Sequence, residues 1–451
     1  AIYADDLPKG IDVRFNTNKK RGVPLINKKD PKNSVLKAMK DDDDNPFGAT
    51  IKDSATLKLV QRSYKGKDGK QHKSAINVVN EEGDWSTWSK TLSSQFLGKQ
   101  PKQLIKQQLS LTLKNKKIDL DDVRKITNPV LKRQLLKKMG DEFDSSAKHL
   151  KAAGLPRQSH YVILPSTKLK ETEVYAPHFK NGEKLALVRH PHAGRFEIPI
   201  VTVNNKYSSI KKLFGEMKDG IVIHPKTAER LSGADFDGDS VIAIPNNRGQ
   251  VKNAMPLNGL KGFDPKTAYP YREGMKVMNE NHKQIAMGKI SNLITDMTLK
   301  HAPADEIARA VRYSMVVIDA EKHKLDYSTA RRDCGIAALH KKWQGTSQGG
   351  ASTLLSRAKH ETKVTKGAEV TPDPNTGERR FLAAKPGAKS KKSTLMDETR
   401  DAFKLSSGTE VESIYAAYAN ECKKLANQCR KEMMSVKGKM YDKNASKVYS
   451  K

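Results

Sequence analysis

Three carboxylates stand at alternating positions in the segment LSGADFDGDSVIAIP: Asp235, Asp237 and Asp239. Alternate residues of an extended chain point the same way, so these side chains converge. Gly238 lets the backbone fold tightly between the last two. Converging carboxylates repel one another unless a cation joins them. A hard, oxygen-liganded ion such as Mg²⁺ meets that need, and the apolar run after Asp239 anchors the loop on a buried strand. The spacing therefore predicts divalent-metal binding by Asp235, Asp237 and Asp239.

Three other readings compete. An EF-hand loop opens with a similar D-x-D-x-D, but its glycine is sixth and its glutamate twelfth; counting from Asp235, Gly238 is fourth and position twelve is Asn246. A metal-dependent phosphohydrolase of the haloacid-dehalogenase type carries DxDG after a strongly apolar strand. Here LSGA precedes the acids and the apolar strand follows them. The third reading is a solvated acidic turn, which sits poorly with the apolar VIAIP beside it.

Such a loop needs a rigid support, and strand signals surround it. YVIL, KLALVR, FEIPIVTV, GIVI and SVIAIP lie between residues 161 and 245, without long helices between them, as a compact barrel or sandwich requires. We divide the chain into a basic β-rich region at 1–84, a helical segment at 85–158, the barrel at 159–262, a helical block at 263–344, a basic loop region at 345–400, and a C-terminal helix with basic tail at 401–451. Asn128-Pro129 reads as a helix start, followed by Leu131, Leu135, Leu136 and Met139 on one face. Ile290, Leu293, Ile294 and Met297 repeat that spacing, and Pro303 precedes a further helix.

The formal charge of +32, from 83 Lys and Arg against 51 Asp and Glu, opposes compaction and calls for a polyanionic partner. Nucleic acid is the leading candidate, because phosphate contacts from Lys and Arg dominate its affinity. No apolar run is long enough to span a membrane, and no membrane partner is expected. Cys334, Cys422 and Cys429 have no zinc or paired-disulfide spacing, which fits a reducing compartment, and the last two should share one helical seam. His190, His192 and His224 fall near the barrel and form a weaker zinc candidate. Trp85 and Trp88 could stack on bases or pack a helix, and the run Asp41–Asp44 reads as a solvated turn. KPGAKSKKST reads as a phosphate contact or a disordered tract. The chain opens on Ala1 rather than Met, which reads as a fragment or processed product.

The string ADFDGD resembles the catalytic loop of the largest subunit of cellular RNA polymerases. It also resembles the looser DxDGD of RNA-silencing RNA-dependent polymerases and of phage single-chain polymerases, all of the two-barrel (double-psi β-barrel) superfamily. Upstream, LVRHPHAGRFEIPIV resembles the strand-turn that carries an Arg-x-Pro in these enzymes. Downstream, MGKISNLITDM and ADEIARAVRYSMVVIDAEKHKLD resemble the helical block of the silencing enzymes, with Asp319 and Lys322 at its end. NEEGDWSTWSKTLSSQFLGKQ is similar to segments of phage proteins. Departures fall at Gly233, where the cellular enzymes carry Asn, and at His192, Ala193 and Gly194.

The resemblance implies an α+β fold: a double-psi β-barrel carrying the DFDGD loop, flanked by helical segments, with a candidate second barrel near the N-terminus. It implies a Mg²⁺-dependent phage-type RNA polymerase that uses two metals, the second arriving with the nucleoside triphosphate. Asp235, Asp237 and Asp239 would be catalytic and metal-holding. Arg189, Pro191 and Gly238 would serve substrate binding, Arg189 facing the nucleotide sugar. A second barrel should supply two lysines, for which Lys19, Lys20, Lys37 and Lys40 are candidates. Implied partners are a DNA or RNA template, the RNA product, nucleoside triphosphates, and other polymerase or virion subunits. The implied setting is the bacterial host cytoplasm, after packaging in a phage virion. The alternatives are an inactive nucleic-acid-binding virion or structural protein with a polymerase-like barrel, and the phosphohydrolase.

Overall fold

The computed structural model describes residues 89–438, apart from 191, 218, 219, 232, 233, 235, 237 and 238, together with six short strands before residue 89. The chain divides into two compact units, each discontinuous in sequence: 1–90 with 154–256, and 91–153 with 257–451.

The early strands are β1 (Ile2–Tyr3), β2 (Val13–Phe15), β3 (Lys37–Ala38), β4 (Ala49–Ile51), β5 (Ser63–Lys65) and β6 (Gln71–Lys73). They make an open sheet in the order β1-β2-β4-β3 and a separate β5–β6 pair. Among the described residues this region holds no second closed barrel. Lys37 lies on β3, whereas Lys19, Lys20, Lys40, the run 41–44, Trp85 and Trp88 lie outside the described residues. β7 (Thr91–Leu92) pairs with β8 (Ala152–Ala153) in the other unit.

The barrel consists of β9 (Ser159–Pro165), β10 (Glu173–Tyr175), β11 (Lys184–Val188), β12 (Ile200–Val203), β13 (Gly220–Ile223) and β14 (Ser240–Pro245). They close in the order β10-β12-β11-β14-β9-β13. β9–β13 and β10–β12 are parallel; β9–β14, β11–β12, β11–β14 and β10–β13 are antiparallel. This pattern is unchanged when the first three strands are exchanged for the last three (β9 for β12, β10 for β13, β11 for β14). The barrel therefore has the pairing of an internal two-fold repeat. Residues of alternating parity fill its interior: Tyr161, Ile163, Val174, Leu185, Leu187, Val201, Val203, Ile221, Ile223, Val241 and Ala243. On the outer face Val162, Leu164, Tyr175 and Val222 pack under the helix Ser208–Phe214 through Ile210 and Phe214. β10 is missing from the sequence expectation because three residues are too few to show a period.

In the second unit Asn128 caps the helix Pro129–His149 by accepting from the main-chain N–H groups of Val130 and Leu131, each at 3.0 Å. That helix packs with Lys102–Arg124 and Glu410–Ser435 around Leu120, Leu136, Met139, Phe143, Leu425 and Cys429. Leu131, expected on this face, is 47% exposed. It lies at the first turn of the helix, clear of the packing seam that begins at Leu136. Cys422 and Cys429 do share the buried seam of Glu410–Ser435, and burial pushes their thiols up to about 11 and about 12. Helix Glu280–Leu299 carries the 290–297 spacing, and helix Ala304–His323 starts after Pro303 as expected.

Residues 345–400, expected as loops, carry paired strands instead. β15 (Glu361–Val364) pairs with β18 (Lys391–Thr394), and β16 (Glu369–Val370) with β17 (Arg380–Phe381). The tract KPGAKSKKST is thus partly an ordered strand. These strands are short and polar, so no alternation announced them. The β16–β17 turn is held by Asp373, which accepts from Asn375 and Thr376 N–H at 2.9 Å. Gly377, at φ +73°, sits against helix Glu410–Ser435 so closely that a Cβ would lie 2.0 Å from the Asn427 carbonyl.

Asp296 ties the same unit together. Its fully buried carboxylate accepts from Ser352 N at 2.9 Å, Thr353 N at 3.0 Å, Thr353 Oγ1 at 2.6 Å and Gln344 Nε2 at 2.6 Å. Asp296→Ala removes the charged acceptor of two buried N–H groups and leaves them only the Ser356 hydroxyl, and urea unfolding should register a loss of about 3 kcal/mol; a loss below about 0.5 kcal/mol would contradict this role. Cys422 and Cys429 should resist maleimide at pH 8 in the folded protein and react on unfolding, because little thiolate exists at such raised values.

Candidate functional site

β11 and β14 run antiparallel, with Val188 opposite Ile242. Arg189 therefore continues β11 just past its end, while Asp239 immediately precedes the first residue of β14. The Asp239 carbonyl accepts from Ile163 N at 3.0 Å, which extends the β14–β9 ladder by one residue and fixes Asp239 to the barrel wall. From there the long Arg189 side chain reaches diagonally, and its Nε donates to Asp239 Oδ1 at 3.1 Å. Nη2 donates to the same oxygen. Both side chains are largely buried, at 17% and 7% exposure, where an ion pair is little screened by solvent.

The acidic segment is fastened to the barrel from inside as well. Ala234 and Phe236 pack against the interior core, and Ala234 N donates to the Leu231 carbonyl at 3.2 Å. Phe236 holds φ +61°, a left-handed conformation that costs a non-glycine residue about 1 kcal/mol and marks constrained backbone. Of the described members of the segment, Ala234 and Phe236 contact the core and Asp239 pairs with Arg189. Asp235, Asp237, Gly238 and Pro191 lie outside the described residues.

After Arg189 the chain turns through two stacked imidazoles, His190 and His192, with ring centroids 5.6 Å apart; His192 is buried. Glu197, also buried, accepts from Ala193 N at 2.5 Å and closes this turn. His224 instead caps the short helix Pro225–Ala228, its Nδ1 accepting from Lys226 N at 3.1 Å, and so serves the backbone rather than a three-histidine zinc site. Among the described residues no three His, Cys, Asp or Glu side chains gather as a metal cluster.

Sequence reasoning missed Glu197, Arg195 and Arg230. The two arginines are half-buried, and burial lowers the pKa of both guanidiniums. Arg230 Nη2 reaches the Ala254 carbonyl at 3.4 Å, and Ala254 N donates to the Arg195 carbonyl at 3.1 Å, so one short segment links them. The only advance signal was their position in the two segments that flank the barrel strands bearing Arg189 and Asp239. The helical residues Asp319 and Lys322 lie on Ala304–His323 in the other compact unit.

No protein-family model matches the chain, and no curated protein matches it. Among solved structures it is similar to an RNA-dependent RNA polymerase, QDE-1 from Thielavia terrestris, at 14% identity and a TM-score of 0.41. The likeness covers 60% of this chain and 40% of that one, so the chain spans about two-fifths of the polymerase. At this level of similarity the chemistry has to be argued from the residues themselves.

A double-mutant cycle tests the ion pair. Arg189→Ala and Asp239→Ala should each destabilise the protein by about 3 kcal/mol, because either breaks a largely buried ion pair. The double variant should lose clearly less than the sum, with a coupling of about 1–3 kcal/mol. Additive losses in thermal or urea unfolding would remove the pair from the site.

Proposed function

We propose that the protein is a Mg²⁺-dependent nucleotidyltransferase that makes RNA on a nucleic-acid template, with its centre on the acidic segment of the barrel. The observation that carries the reading is the buried Arg189–Asp239 pair at the mouths of β11 and β14, where the DFDGD string joins the barrel wall. The exchange symmetry of the strand pairing is what a double-psi barrel requires, and we assign the barrel to that class.

The residues fit a divalent ion by charge and donor type. Asp235, Asp237 and Asp239 bring three negative charges, and Arg189 cancels one. Carboxylate oxygens are the donors that a hard divalent cation prefers. Asp235 and Asp237 would hold the ion together with Asp239, whose Oδ1 is engaged by Arg189. Bound Mg²⁺ supplies activation of the 3′-hydroxyl and, with a second ion carried by the nucleoside triphosphate, stabilisation of the departing pyrophosphate.

In this scheme Arg189 is first a positioning residue, because it holds Asp239 in register with β9. A contact between Arg189 and the nucleotide sugar would share the guanidinium with that bond. Pro191 would shape the turn after Arg189, and Gly238 would let the backbone approach the nucleotide. Phosphates of template and product would draw on the net charge of +32. Among the described residues no helix is long and apolar enough to cross a membrane. We assign the chain to the phage-type branch on its ADFDGD and flanking segments alone, and with it the bacterial host as setting.

Purified protein given Mg²⁺, a DNA or RNA template and the four nucleoside triphosphates should extend RNA, and Asp237→Ala should abolish extension while the circular dichroism spectrum stays unchanged. Extension that survives this substitution would sink the assignment. Nucleic-acid binding with a steep salt dependence but no synthesis would favour the inactive virion or structural protein. Release of phosphate from simple monoesters would favour the phosphohydrolase.

A further inference from the structure

We propose that a cleft in the helical unit, walled by the β16–β17 hairpin, β18 and helix Glu410–Ser435, binds single-stranded nucleic acid, with phosphates on its rim cations and one base stacked on Phe381. The cleft encloses about 550 Å³, within the range of sites that hold one small organic group and far too small for a duplex. Eight Lys and Arg side chains line it against four carboxylates, so its walls favour an anion. This inference does not rest on the barrel, since all of these residues belong to the other compact unit.

The cations fall into two groups with different duties. Those on the floor hold the fold. Arg430 is buried, donating to the Gly377 carbonyl and to Asp144, each at 2.8 Å. The Lys423 ammonium donates to the Met396 and Thr399 carbonyls. Those on the rim are exposed and weakly committed. Lys392 pairs with Glu361 at 2.9 Å and Arg400 with Glu378 at 3.2 Å, yet their side chains are 76% and 86% exposed, where ion pairs contribute little. Lys391, beside them on β18, makes no ion pair with a described residue. A phosphate can therefore take the rim cations without breaking the floor.

Phe381 distinguishes nucleic acid from other polyanions. It is 38% exposed on the cleft wall, where a buried role would have hidden so large an apolar ring. Lys366 Nζ lies 4.6 Å from its ring centroid and Arg379 Cζ 5.6 Å. An exposed ring among cations is the combination that stacks an unpaired base while its flanking phosphates are neutralised. A duplex offers no base face to such a ring. The wall is preformed: Gly377 seats the hairpin on the helix, and Gly367 packs so closely on the strand after Phe381 that a Cβ would lie 2.7 Å from the Leu382 carbonyl.

Fluorescence anisotropy of the full chain with a short labelled oligouridylate, compared with a hairpin duplex, tests this over about 50–200 mM salt. Phe381→Ala should weaken oligouridylate binding about tenfold and leave the duplex unchanged, and Phe381→Tyr should restore it. Replacing Lys391, Lys392 and Arg400 together by Gln should reduce the salt slope for the single strand by about 2. Photocrosslinking with a thiouridine-substituted strand should label peptides within 361–400 whatever other basic surfaces bind. Unchanged oligouridylate affinity in Phe381→Ala, an equal loss for duplex and single strand, an unchanged slope in the triple variant, or crosslinks confined elsewhere would each overturn the proposal. RNA extension by the barrel is measured separately, so a failure of either reading leaves the other standing.

Discussion

Arg189 and Asp239 are bonded across the ends of two neighbouring barrel strands, and both side chains are largely buried there. Breaking a buried ion pair costs several kcal/mol. The pair therefore demands that β11 and β14 be neighbours in their observed register, and that β14 lie against β9 so that Ile163 can hold the Asp239 backbone. A one-residue slip of β14 would turn Asp239 to the opposite face and send the interior residues Val241 and Ala243 outward. Charge pairing and core packing thus specify one register.

Closure does the rest of the positioning. With no free edge, strands of three to seven residues are sufficient, because each is paired on both sides. The two-fold pairing also shows what is particular about the acidic segment. Exchange of the halves sets the connection between β13 and β14 against that between β10 and β11. The first runs through His224 and Arg230 to Asp239 and carries the carboxylates; the second, residues 176–183, reads APHFKNGE and is short. The strand pairing is duplicated, but the three carboxylates fall in one copy only. The left-handed Phe236, packed against the barrel core, falls in the elaborated copy.

The residues that could be read in advance were those whose pattern is local. Asn128-Pro129 declares a helix start through its own side-chain geometry, and the 290–297 spacing buries without help from elsewhere. GIVI and SVIAIP are strands whichever partners they find. β10 and the strands of 361–394 were not readable, because runs of two to four residues acquire strand geometry only from the partner that receives their hydrogen bonds. In the site, the interest of Arg189 and Asp239 could be read from motif and charge, but their bond could not: it depends on a register 50 residues apart. Glu197 was invisible for the same reason, its role being defined by a turn rather than a spacing. The membership of residues 91–153 in one unit with 257–451 has no local sign at all, since it is made by helix Glu410–Ser435 packing on Pro129–His149.

Charge supplies a last constraint. In a chain of +32, an acidic side chain has cations within reach at almost every surface, and the described carboxylates mostly use them: Glu183 with Arg157, Glu306 with Lys342, Glu369 with Arg379, Asp144 with Arg430. Neutralisation by the protein itself is the cheap outcome. Asp235, Asp237 and Asp239 lie in a stretch from Leu231 to Pro245 that contains no Lys or Arg, so the positive residue on Asp239 has to come from 50 positions away. Asp239 is therefore anchored across strands rather than along the chain, and its neutralisation depends on the same β11–β14 register that closes the barrel.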